Sequence, residues 1–403
     1  MLKHLKTSLF WNLSLLMVIT MSCNTTKNPL EDILKSDSPK IKTITDNLAD
    51  HEVQILYTQI DRDESGTPAF KEFSFQLNKN NYFYPASTAK LPVAILALQR
   101  INELRAVGSE ITRESPFEIF NPETNEVILT GDSTQENGKA TVAHMIKKIF
   151  LVSDNDAYNY LFEFLGRDYI NQELRKRNIG PAHINHKFQL GADNKNTMAL
   201  KFFTDDGIET IAAKTSEVDR HSFPLKKMIK GIGYTDDAGN LFNEPFNFAE
   251  KNYFSLESLN KMVKSIIFPE SLPENERFDI SEEDYIFLRH WMSRLPKESK
   301  YPNYSDVEHY DSYVKFLMFG DDQSPIPENV RIFNKIGMAY GTLTDAAYFK
   351  DEQNNVEFML SATILINENG IFNDGIYEYA EQGLPFLAEL GRQVYQFELT
   401  RTQ

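Results

Sequence analysis

The sequence predicts an α/β chain of the α+β kind. An antiparallel sheet is formed from both chain ends with flanking helices, and an all-helical lobe is inserted between them. Three observations predict it: strand-like segments before residue 80, an apolar strand-rich run near residue 360, and helical periodicity through most of what lies between. Residues 53–59 (VQILYTQ) and 70–77 (FKEFSFQL) alternate on either side of DRDESGTP, whose turn chemistry predicts a hairpin. Residues 91–104 place Ala94, Ile95, Leu98 and Ile101 on one helical face. Further helices are expected over 142–152, 156–165 (ended by Gly166), 169–177, 255–267 and 282–295. Residues 198–214 break the series. TMALKFF and IETIAAK flank Asp205-Asp206-Gly207, and a small hairpin is expected there. FMLSATILIN (358–367) returns to strand, and 377–396 closes the chain as a helix.

Composition narrows the function. With 41% hydrophobic and 25% charged residues, the 403-residue chain is neither disordered nor a polytopic membrane protein. A net charge of −16 repels phosphate backbones, so no nucleic acid is expected as a partner. A single cysteine, Cys23, permits no internal disulfide and no cysteine-rich zinc site. It directly follows residues 1–22, where Lys3 and Lys6 precede an apolar run too short to span a bilayer. That arrangement resembles a bacterial lipoprotein signal, although Thr20 stands where such signals usually carry Leu. The expectation is a cleaved signal over 1–22, lipidation at Cys23, a polar tether over 23–49, and a folded domain over 50–403. The protein would then be an exported monomer, held at the periplasmic face of a bacterial membrane by a lipid anchor. An uncleaved anchor or an ordinary signal is the alternative.

Ser87-Thr88-Ala89-Lys90 is the first candidate for chemistry. Serine needs a base to take its proton, and lysine serves when burial strips its charge. Residues three apart share a helix face, and the apolar LPVAILAL that follows sinks this helix in the core. The spacing alone is common, since Ser258…Lys261 and Ser312…Lys315 repeat it with nothing around them to complete a site. Ser153-Asp154-Asn155 falls between two predicted helices, where it either caps the second or turns a hydroxyl and an amide toward a cleft. Lys335-Ile336-Gly337 opens a predicted strand: a cation for a substrate carboxylate, then a glycine that admits close backbone approach.

In that order, the three elements resemble the serine β-lactamase and penicillin-binding superfamily, and class A β-lactamases most of all. YPASTAKLPVAILAL, LVSDNDAYNYLFEFLG and YGTLTDAAYF each extend the likeness beyond the bare motif, which covers about residue 50 to the C-terminus. The resemblance implies a β-lactamase/transpeptidase-like fold, acylation of Ser87 with Lys90 as its proton partner, and Ser153 as a relay to the leaving group. It implies substrate contacts from Asn155, Lys335 and Gly337, and an oxyanion hole from the backbone N–H groups of Ser87 and Met338. A β-lactam or a peptidoglycan peptide would be the substrate, without cofactor or metal. A class A-like β-lactamase is the leading expectation; a penicillin-binding D,D-peptidase or cell-wall amidase, and a non-catalytic peptidoglycan-binding module, are the alternatives.

The sequence departs from the family in three places. Where class A enzymes carry the Glu that activates the hydrolytic water, Phe188-Gln189-Leu190 stands; Glu173, in a predicted helix, is expected to face solvent, and Asp193 is the nearest substitute. Ile336 replaces the family's Thr, with Thr342 or Thr344 available to compensate. Residues 195–250 are an apparent insertion. His183 and His186 lack the context of a zinc site, and no metal is expected.

Overall fold

The computed structural model describes residues 27–217 and 223–401. The signal segment and Cys23 lie outside the described residues. A five-stranded antiparallel sheet is built from β1 (Gln54–Arg62), β2 (Pro68–Phe75) and three strands contributed by the other end of the chain. Two further strands, β3 (Phe117–Phe120) and β4 (Val127–Leu129), and the hairpin β5 (Ala199–Thr204) and β6 (Gly207–Ile211) belong to the inserted lobe. The C-terminal contribution to the main sheet is β7 (Val330–Ala339), β8 (Thr342–Asp351) and β9 (Val356–Leu365). The order is β7-β8-β9-β1-β2, with Ile55 opposite Ala362 where the two chain ends meet. Lys335 lies within β7, not at its start, because the strand already pairs from Val330 opposite Asp351.

Both faces of the sheet are covered, so β8 and β9 are buried nearly throughout. Alternation along β8 sends Leu343, Ala347 and Phe349 to one core, and Ala346 and Tyr348 to the other. The first core is closed by two short helices, α1 (Pro29–Leu34) and α2 (Pro39–Thr45). Leu30, Ile33, Ile41 and Ile44 pack there with Phe386, Leu387, Leu390 and Val394 of the final helix, Leu384–Thr400. Residues 29–45 are therefore not a tether. Asn28 caps α1 by accepting from Leu30 N, and Pro29 opens it. Helices of six and seven residues carry too little periodicity to stand out from a polar background and form only against the fold.

The second core joins the sheet to the lobe. A 3₁₀ turn, Ala86–Ala89, leads into α3 (Lys90–Ala106), whose residues Leu91 to Leu98 are all buried. Around it lie α4 (Val142–Val152), α5 (Asn155–Leu165), α6 (Arg167–Lys176), α7 (Leu256–Ile267) and α8 (Glu282–Ser293). The lobe is not all-helical. The expected hairpin β5–β6 continues through β3 to β4 as a four-stranded sheet, Ile119 lying opposite Leu200. Strands of four and three residues are too short to announce themselves by alternation. The closing helix (α9, Leu384–Thr400) starts later than its apolar pattern, after a π turn at Tyr379–Gly383.

If the N-terminal helices belong to the folded unit, Ile41→Ala, at a site with no solvent exposure, will destabilise the whole protein by about 2–5 kcal/mol. Denaturant unfolding checks this; a tether residue would show no change.

Candidate active site

Ser87 sits half-buried in the 3₁₀ turn, its backbone held by Thr88, whose N–H and Oγ1 both donate to the Pro85 carbonyl at 3.1 and 2.6 Å. Strand β7 passes directly alongside. A Cβ on Gly337 would lie 2.3 Å from the Pro85 oxygen and 3.2 Å from Ser87 N, so only glycine fits. Met338 follows, exposed at the cleft edge of the strand.

Ser153 ends α4 in a left-handed conformation (φ 58°). Asp154 then caps α5, accepting from Ala157 N at 2.8 Å, and pairs with Lys148 at 3.4 Å. Lys148 also reaches Asp132 at 2.9 Å, which fastens the loop to the chain before α4. The expected N-cap and the expected cleft loop are thus both present. They are the same three residues.

The motifs converge on Ser153. Lys90 Nζ donates to the Ser153 carbonyl and, at 2.6 Å, to Asn155 Oδ1; Ser153 Oγ is 3.4 Å away. From the sheet side, Lys335 Nζ donates to Ser153 Oγ at 2.7 Å and to the Ile336 carbonyl at 3.0 Å. Burial lowers the Lys90 pKa to about 7, with Asp154 and Asp156 pulling weakly the other way. Lys335 is lowered further, first by burial and then by the charge of Lys90.

Behind β7 lies a network that sequence reading missed. Asp345, opposite Ile336, accepts from the N–H groups of Phe316 and Leu317 at 3.1 Å each and from Asn334 Nδ2 at 2.8 Å. Lys315 donates to Asn334 Oδ1 (2.6 Å) and the Met292 carbonyl (2.8 Å). The tetrad Ser312…Lys315 is therefore packing. So is the other, since Ser258 bonds Ser255 and Lys261 pairs with Glu276.

Residues 38–217 match the family described as Beta-lactamase enzyme family. Over that span the chain is similar to the β-lactamase enzyme family. No curated protein matches it. Among solved structures it is similar to a β-lactamase from Desulfarculus baarsii DSM 2075, at 13% identity and a TM-score of 0.49, covering 90% of this chain and 97% of that one. It is similar to PBP-A at 16% identity and a TM-score of 0.49, covering 92% and 96% of the two chains. An ancestral class A β-lactamase gives 12% identity and a TM-score of 0.48, over 91% and 98%. The family match over residues 38–217 supports a serine hydrolase of the β-lactamase or penicillin-binding kind.

The wall beside Lys90 is aromatic. The Phe188 ring centre is 5.1 Å from Lys90 Nζ, and Phe188 N donates to Asn159 Oδ1 at 2.8 Å. A buried Lys187–Glu163 pair anchors this loop to α5. Glu173 is not on a solvated face: it is buried, bonded to Gln99 and paired with Arg177. Asp193 holds its own turn by accepting from the Lys195 and Asn196 N–H groups at 2.9 Å. Ile336 joins the core under α9, and Thr344 bonds Thr363 at 2.7 Å inside the sheet. His183 turns to Asn185, whereas His186 stacks on Tyr84 with Nδ1 at the Lys187 carbonyl.

The insertion is more than a surface loop. Lys226 exchanges backbone hydrogen bonds with Asn80 (2.7 Å) and Tyr82 (2.9 Å) on the segment that leads to Ser87.

Gly337→Ala must push β7 off the Ser87 turn. The expected outcome is a stability loss of about 1–3 kcal/mol, read by denaturant unfolding.

Proposed function

We propose that the protein is an acyl-transferring serine hydrolase of the penicillin-binding type, which forms an ester at Ser87 and releases it slowly. The observation that carries this reading is Phe188. A fast β-lactamase, the leading expectation from sequence, needs a base for water beside the acyl-serine, and an aromatic ring lies beside Lys90 where that base is expected.

In this reading neutral Lys90 keeps two N–H donors on the Ser153 carbonyl and Asn155 Oδ1, and its lone pair takes the Ser87 proton. Ser87 Oγ attacks the amide carbonyl, and the oxyanion is held by the N–H groups of Ser87 and Met338. Ser153 returns a proton to the leaving nitrogen, replenished through Lys90 or Lys335. Lys335 holds the substrate carboxylate, and the Asn155 amide nitrogen remains for the substrate amide.

Intact-protein mass spectrometry after adding benzylpenicillin tests the reading, with Ser87→Ala as control. An adduct that persists for hours on the wild type and is missing from the variant is the expected result. Rapid loss of the adduct with accumulation of hydrolysed drug would make the protein a β-lactamase. No adduct on folded protein would end the acyl-enzyme reading.

Phe188→Glu is expected to shorten the adduct's lifetime by roughly 10²-fold by supplying a general base; an unchanged lifetime in a folded variant would show that Phe188 does not limit deacylation. The acylation rate should rise as pH passes upward through about 7, where Lys90 loses its proton. Single-turnover kinetics from pH 5 to 9 check the sign, and a flat profile contradicts Lys90 as the base.

A further inference from the structure

The cleft can be followed along β7. Gly337 lies against Ser87, and three residues on, the Tyr340 ring meets the Tyr84 ring edge-on at 5.0 Å. The segments 84–87 and 337–340 therefore run side by side in opposite directions, and Tyr340 marks a level about 10 Å beyond Ser87. Lys335 and Ser153 lie in the other direction.

The insertion builds this far end. Phe246 stacks on Tyr340 at 5.6 Å, Phe248 meets both Tyr340 and Tyr84, and the His186 ring lies flat against Tyr84. Over these rings sits a cation. Lys251 Nζ is 5.3 Å from the Tyr340 ring centre and 5.8 Å from that of Phe246, and donates to the Tyr340 hydroxyl at 3.2 Å. Lys251 is half-buried and has no carboxylate within ion-pair distance among the described residues. Aromatic faces hold an ammonium in place without neutralising it. On a chain of net charge −16, a positioned, uncompensated lysine is a selective feature.

We propose that Lys251, on its aromatic bed of Tyr340 and Phe246, is a subsite for a second carboxylate carried on the acyl side of the substrate. It rests on the acyl-enzyme reading above. The cleft then recognises a substrate anionic at both ends: one carboxylate beyond the scissile amide at Lys335, the other on the acyl group at Lys251. The insertion at 195–250 supplies Phe246 and Phe248 to this subsite, and Lys251 follows directly after it.

The test compares acylation of the full protein by benzylpenicillin and by its α-carboxy derivative, which differ by one carboxylate on the acyl side. The wild type should acylate faster with the α-carboxy compound, and Lys251→Met should reduce that ratio by roughly tenfold while leaving benzylpenicillin acylation within about twofold. Lys251→Arg should restore the preference. An equal ratio in wild type and Lys251→Met would overturn the subsite and leave the acyl-enzyme standing. Failure of both compounds to acylate the wild type would overturn the acyl-enzyme reading and the subsite with it.

Discussion

The approach of β7 to the Ser87 turn at Gly337 fixes the geometry of everything around it. No side chain intervenes: a Cβ at that position would sit inside the contact distance of the Pro85 oxygen and crowd the Ser87 and Thr88 nitrogens. The turn is the first step of α3, which runs through the centre of the lobe, while β7 is the edge of the main sheet. This backbone-to-backbone contact sets how closely β7 approaches the Ser87 turn. Ser87, Met338 and the lysines inherit their positions from it.

The same closeness explains the electrostatics. Lys90 and Lys335 meet at Ser153 from opposite sides, both nearly excluded from water, and the charge of Lys90 disfavours that of Lys335. Asp345 lies opposite the neighbouring strand residue, but its oxygens are engaged by Asn334 and two backbone N–H groups. In the proposed function, a substrate carboxylate at Lys335 supplies a counter-charge there. Binding of an anion at Lys335, as proposed above, is linked to protonation of that lysine.

The parts legible in the sequence were those written locally. Helix α3, the Ser153–Asn155 loop and the flanking strands have strong periodicity, short connections and caps, and they carry the candidate residues to one place. What escaped depends on contacts distant in sequence. Ile41 and Ile44 are apolar residues in a polar stretch until α9, some 340 residues later, gives them a surface. Lys315, Asn334 and Asp345 have no motif between them, and only the β7–β8 register makes them neighbours. Glu173 looked like a surface residue because its partners Gln99 and Arg177 are unremarkable until α3 and α6 pack.

Phe188 and the lowered pKa of Lys90 are two aspects of one design. A carboxylate beside Lys90 would stabilise its ammonium form and hold it protonated at neutral pH, leaving proton removal from Ser87 to other groups. With a ring there instead, burial dominates and lowers the Lys90 pKa to about 7, which leaves a neutral amine available for the proton transfer proposed above. The same ring removes the acceptor that water would need in the second half of the reaction. In the proposed reaction, acylation and hydrolysis make opposite demands on this wall, and Phe188 suits acylation.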